Sequence, residues 1–168
     1  VVADRLRTLS LIAGATADSA PLIVASAGAV TSRTLLPSDL SRGPGTIRNG
    51  NHLALDQLAR GLVDGGYEQG PLVEAPGQVA RRGGLLDVFP PVQPFPVRIE
   101  FFGNEIESIR AFDTDTQRTL EQLDQITLGP AREWFADPGD LARLAARIGD
   151  VNSEDASAEL ATLRRGEM

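Results

Sequence analysis

The feature that most constrains this chain is a change of hydrophobic period at Tyr67. Before it, Leu53, Leu55, Leu58, Leu62 and Val63 recur at helical spacing over 53–64, and Gly65-Gly66 is a helix stop. From 67 to 129 the period falls toward two. Turn-forming dipeptides interrupt it at Pro76-Gly77, Gly83-Gly84, Pro90-Pro91 and Gly103-Asn104. The pattern predicts strands over 71–75, 78–82, 84–89, 96–102, 105–113 and 123–128. Short strands joined by tight turns pair antiparallel, because parallel pairing needs a long crossover. Gly103-Asn104, between two strand patterns, has the signature of a two-residue hairpin. The fold class is mixed α/β of the α+β kind: a β-rich, mostly antiparallel module with helix 53–64 packed on it.

The flanks read differently. Residues 3–13 place Leu6, Leu9, Leu11 and Ile12 near one helical face, with Asp4 in the first turn where the helix dipole favours an acid. Pro21 introduces the apolar run LIVAS, 22–26, which reads as a buried strand. A short helix ending at Pro37 follows. Helix, strand and helix make part of an α/β layer. Residues 37–51 form a loop with one strand over Thr46–Arg48. Residues 134–168 return to helical spacing in two segments, with Asn152 or Ser153 as an N-cap. The expected divisions are 1–44, a partial α/β layer; 45–130, the β-rich domain; and 131–168, helices returning to the layer. A start at Val1 and an end at Met168 within a helical pattern suggest a piece of something longer.

Composition removes much chemistry. The 168 residues carry 16 basic and 23 acidic side chains, a formal net charge of −7. All the basic residues are arginine; lysine and cysteine do not occur, and His52 is the single histidine. A phosphate-binding P-loop and a Schiff base both need lysine. Thiolate chemistry and cysteine-ligated zinc need cysteine. The net charge opposes wrapping a nucleic-acid backbone. No apolar run approaches the roughly 18 residues of a membrane helix, and no signal peptide opens the chain, so a cytoplasmic setting is expected.

The strand PVRIEFFG is the most informative stretch. Alternation puts Val97, Ile99 and Phe101 on a core face and Arg98, Glu100 and Phe102 on the other. An aromatic ring among charges is what a partner-binding face often shows, although Phe102 packed under a loop would be the plainer reading. If strands 84–89 and 96–102 pair, Arg82 shares that surface with Arg98; two solvated arginines closing a strand is the plain alternative. Glu100, Glu105 and Glu107 with Asp87 offer a carboxylate cluster for acid–base work or a metal, but strand-edge acids more often discourage aggregation. His52, at a helix start, reads as a capping or solvent-facing residue. Tyr67 and Trp134 read as satellite core residues.

The residues then suggest a family. GY at 66–67, PG-x-x-x-x-RGG-x-x-DVFP at 76–90, PVRIEFFG-x-EIESIR at 96–110, FD-x-x-TQR at 112–118 and PARE at 130–133 closely resemble the N-terminal region of bacterial transcription-repair coupling factors. The likeness is strong over about 65 residues and weaker over 1–65. The same stretch is similar to the second domain of the excision-repair protein UvrB, the alternative assignment. The resemblance implies a UvrB-like docking module for DNA repair, non-enzymatic and without a working nucleotide site or cofactor. Its partner would be UvrA, the damage-recognition ATPase. ATP, Mg, RNA polymerase and double-stranded DNA would belong to other parts of a longer protein. By motif, the family's partner-binding residues fall on Arg82, Arg98 and Phe102. Asn104 departs from the acid the family often has there. A DNA-contacting module and a cryptic hydrolase are the competing classes.

Overall fold

The protein is described by a computed structural model, which describes residues 2–16, 18–32 and 34–133. The expected helices of 134–168, Trp134 with them, lie outside the described residues.

The centre is a six-stranded sheet built as a meander. Its strands are β2 (Glu68–Gly70), β3 (Gln78–Arg82), β4 (Leu85–Val88), β5 (Val97–Phe102), β6 (Glu105–Phe112) and β7 (Thr119–Leu123), in that spatial order. All neighbours are antiparallel except β2 and β3. A second, two-stranded sheet pairs β1 (Gly45–Arg48) with β8 (Gln125–Leu128). The hairpin predicted at Gly103-Asn104 forms, and the turn at Gly83-Gly84 is a two-residue hairpin as well. Gly83 and Gly103 hold φ of 59° and 63° at the first turn position, as a type II′ hairpin demands.

One face of the large sheet is the core. Helix α3 (Leu55–Asp64) lays Leu55, Leu58 and Leu62 on Val79, Leu86, Val97 and Ile99, and Ile47, Ile126 and Leu128 of the small sheet join them. The pairing of β5 with β6 slips where Glu100 faces Ser108 and Phe101 faces Ile106, leaving Glu107 unpaired. That bulge has a cause in the sequence. Ile106 and Ile109 are three residues apart and would fall on opposite faces of a regular strand; one extra residue turns both into the core, where both are fully buried. The extra residue is on β6, so β5 keeps its alternation.

Several expectations need correction. The run 22–26 is not a buried strand: it has no ladder partner among the described residues, and Leu22 is 95% exposed. An apolar run becomes a strand only where neighbours satisfy its backbone. The helix after it, α2 (Ala27–Thr31), is capped by Ser26 Oγ accepting from the Ala29 N–H and ends before Pro37. The strand expected at 71–75 lies earlier, as β2. The strand expected at 123–128 is β8 alone, and β7 ends at Leu123; Asp124 separates them, because β7 follows β6 whereas β8 turns away to β1. Tyr67 belongs to the main core, its hydroxyl donating to the Gly129 carbonyl at 3.0 Å. Helix α1 (Val2–Ala13) forms where expected and buries Leu6.

Candidate functional site

The face of the sheet away from α3 carries the charges. On β3 the two consecutive arginines part company, as strand geometry requires. Arg81 turns to the helix side and pairs with Asp56 in the first turn of α3. Arg82 turns to the opposite side. Register then brings three strands together: Ala80 faces Asp87 on β4, and Asp87 faces Arg98 on β5.

Asp87 is the hub. It is 2% exposed, the one buried charged side chain among the described residues. Arg98 grips it as a fork, Nε donating to Oδ1 at 2.7 Å and Nη2 to Oδ2 at 2.8 Å. Arg82 Nη2 donates to the same Oδ2 at 2.9 Å. Two cations thus converge on one carboxylate, which offsets the repulsion between them and satisfies a charge that would be costly to bury alone.

Arg98 is held from other sides too. Its Nη2 donates to Gln117 Oε1 at 2.9 Å, and its guanidinium lies 4.5 Å from the centre of the Phe112 ring. The hydrogen bonds and charge of Asp87 raise its pKa above the ordinary arginine value, against the opposing effect of burial. Gln117 reaches it from a turn that holds Gln117 itself at φ 58°. Asp113 ties that turn, accepting from both the N–H and the hydroxyl of Thr116 at 2.8 Å. Next to the hub, Arg110 and Ser108 both bind Glu100. Phe102 ends β5 on the same face as Arg98, about 13 Å along the strand. It is 79% exposed.

The structure therefore brings Arg82 and Arg98 onto one group and leaves Phe102 outward at the strand end. It does not assemble the carboxylate cluster. Asp87 is taken by arginines, Glu100 by Arg110, and no group of acids and histidine able to hold a metal ion occurs among the described residues. His52 is exposed and makes a backbone bridge with Glu105 at the hairpin. What sequence reasoning missed is the role of Asp87, with Phe112 and Gln117 behind it. One signal was available: an acid inside the apolar strand LLDVF is disfavoured there unless a cation meets it.

Comparison with known proteins adds the family. Residues 46–134 match the model of the UvrB interaction domain. The chain is 39% identical over 145 residues to the transcription-repair-coupling factor of Bacillus subtilis, covering 86% of this chain and 12% of that protein. It is 49% identical over 102 residues to the one from Myxococcus xanthus, covering 60% of this chain and 8% of that protein. It is 43% identical over 91 residues to the one from Escherichia coli, covering 54% of this chain and 8% of that protein. The chain thus spans about a tenth of the length of these relatives.

Proposed function

The chain belongs to the UvrB interaction domain family, an interaction module and not a catalytic domain, and on that premise we propose that it docks UvrA in transcription-coupled nucleotide excision repair. Residues 45–130 are the docking domain. In a longer protein of the coupling-factor kind, RNA polymerase binding and ATP-driven movement on double-stranded DNA reside elsewhere. Cytoplasm is the setting that role requires. Among the described residues no helix is long and apolar enough to cross a membrane.

The docking face is the one carrying Arg82, Arg98 and Phe102. The observation that carries this reading is Phe102, a large ring left 79% exposed on the same face as two arginines already paired with Asp87. Arginine and aromatic residues dominate interface energetics, and ordering them in advance lowers the cost of association. Asp87 leaves the two arginines with one net positive charge, which suits an acidic surface that also offers an apolar socket. Capture of UvrA by the chain and by its Arg98→Ala variant tests this: the wild type retains UvrA and the variant loses it. Equal capture removes the patch. A DNA gel shift at low salt separates the competing class, with no shift expected at net charge −7.

A further inference from the structure

We propose that Asp87 is a positioning residue of the docking face, a buried carboxylate whose role is to fix the guanidinium groups of Arg82 and Arg98 where a partner meets them. The inference rests on the docking reading and deepens it.

Burial of Asp87 does not explain itself as a source of stability. Replacing a buried ion cluster with well-packed apolar residues is often neutral or favourable. The flanking core residues Leu86 and Val88 show that β4 accommodates apolar side chains, though on its other face. What the carboxylate alone supplies is geometry. Its two oxygens orient the Arg98 fork, and Oδ2 also draws Arg82 in across β4, so two like charges are held side by side on neighbouring strands.

The two arginines are held unequally, and this divides their labour. Arg98 has its side chain 14% exposed, with its fork spent on Asp87, the Nη2 of that fork shared with Gln117 and its flat face on Phe112. Arg82 is 46% exposed and gives Asp87 one hydrogen bond. Its remaining N–H groups have no partner among the described residues. Arg82 is the hand extended to a partner carboxylate, and Asp87 with Arg98 is the wrist. Without the carboxylate, a long side chain of that exposure loses its fixed direction, and binding bears the cost of ordering it.

The sign of one substitution distinguishes this role from others. Asp87→Asn keeps the side-chain shape and raises the local positive charge. If the face worked by charge alone, an acidic partner would bind the variant more tightly. If Asp87 positions the arginines, binding weakens. The experiment titrates UvrA against the 168-residue chain, wild type and Asp87→Asn, and follows the arginine Nε–H resonances and core methyl resonances of each by NMR. The expected result is at least about tenfold weaker binding, with core methyl resonances in place and Arg82 Nε–H as mobile as that of exposed Arg60. Equal or tighter binding by the variant overturns the proposal and leaves the docking reading standing. Absence of binding by the wild type overturns the docking reading, and with it the role of Asp87. Should the variant not fold, the wild type alone decides: an ordered Arg82 Nε–H supports the proposal, and one as mobile as Arg60 overturns it.

Discussion

Arg98 holds Asp87 with two parallel hydrogen bonds, from Nε at 2.7 Å and from Nη2 at 2.8 Å, across the β4–β5 pair. The fork requires a planar guanidinium. An Arg98→Lys substitution keeps the charge but offers a point donor that cannot span both oxygens or lie flat on Phe112. The expected cost is about 1–3 kcal/mol of folding stability, read as a lower urea midpoint. An unchanged midpoint would show that the fork is not needed.

Tyr67 gives a test at alkaline pH. Burial raises the pKa of its phenol well above the ordinary value, so folding favours the protonated form. The linked stability is fully present below the unfolded value of about 10 and is lost as pH rises beyond it toward the folded value. Tyr67 is the chain's single tyrosine, so phenolate absorbance reports it alone. The folded protein is expected to show no phenolate signal at pH values where the denatured chain has titrated.

Gly43 and Gly28 form a matched pair. A Cβ at Gly43 would stand 2.5 Å from the Leu128 carbonyl oxygen and 3.1 Å from the adjoining Gly129 backbone, whereas one at Gly28 meets nothing within 4 Å. Gly43→Ala is expected to cost about 1–3 kcal/mol as overpacking. Gly28→Ala, in helix α2, is expected to be neutral or stabilising by up to about 1 kcal/mol. Thermal unfolding of the two variants checks both signs.

Asp113 supplies an acid-side test. The Thr116 N–H and hydroxyl hold its carboxyl below the usual carboxylate range. A depressed pKa contributes order that is present above the unfolded value and is lost as pH falls through the folded one. The 113–118 turn, and Gln117 with it, is therefore expected to loosen only in strong acid. Carboxyl chemical shifts of Asp113 against pH measure this; titration at the ordinary aspartate value would contradict it.

How much of this was legible in the sequence varies with what each feature depends on. Alternation in PVRIEFF assigned Val97, Ile99 and Phe101 to the core and Phe102 outward, because a strand's own period decides that. Glycines at 83 and 103 announced their turns for the same local reason. Asp87 was visible as an acid in an apolar strand, but its partner was not. Which arginine it meets depends on the register of β4 against β5, and the eight residues between Val88 and Val97 do not fix that.

The failures share a cause. LIVAS reads as a strand on apolarity alone, yet strand formation depends on neighbours. The run 123–128 looked uniform, yet its ends answer to different partners, β6 and β1. Strand β7, TLEQL, went unseen because it is an edge strand with largely exposed side chains and has no buried face to print a pattern.

The central claim is that an outward ring on the same face as a prearranged arginine pair makes this face a docking surface for UvrA, and Phe102 tests it most directly. Being 79% exposed, it can be truncated without disturbing the core. The measurement is the affinity of UvrA for the chain and for Phe102→Ala, with unfolding midpoints recorded alongside. The account expects stability within about 0.5 kcal/mol of wild type and affinity lowered about 30-fold, the 2 kcal/mol of a hot-spot residue. Undiminished affinity in a folded Phe102→Ala variant would contradict it.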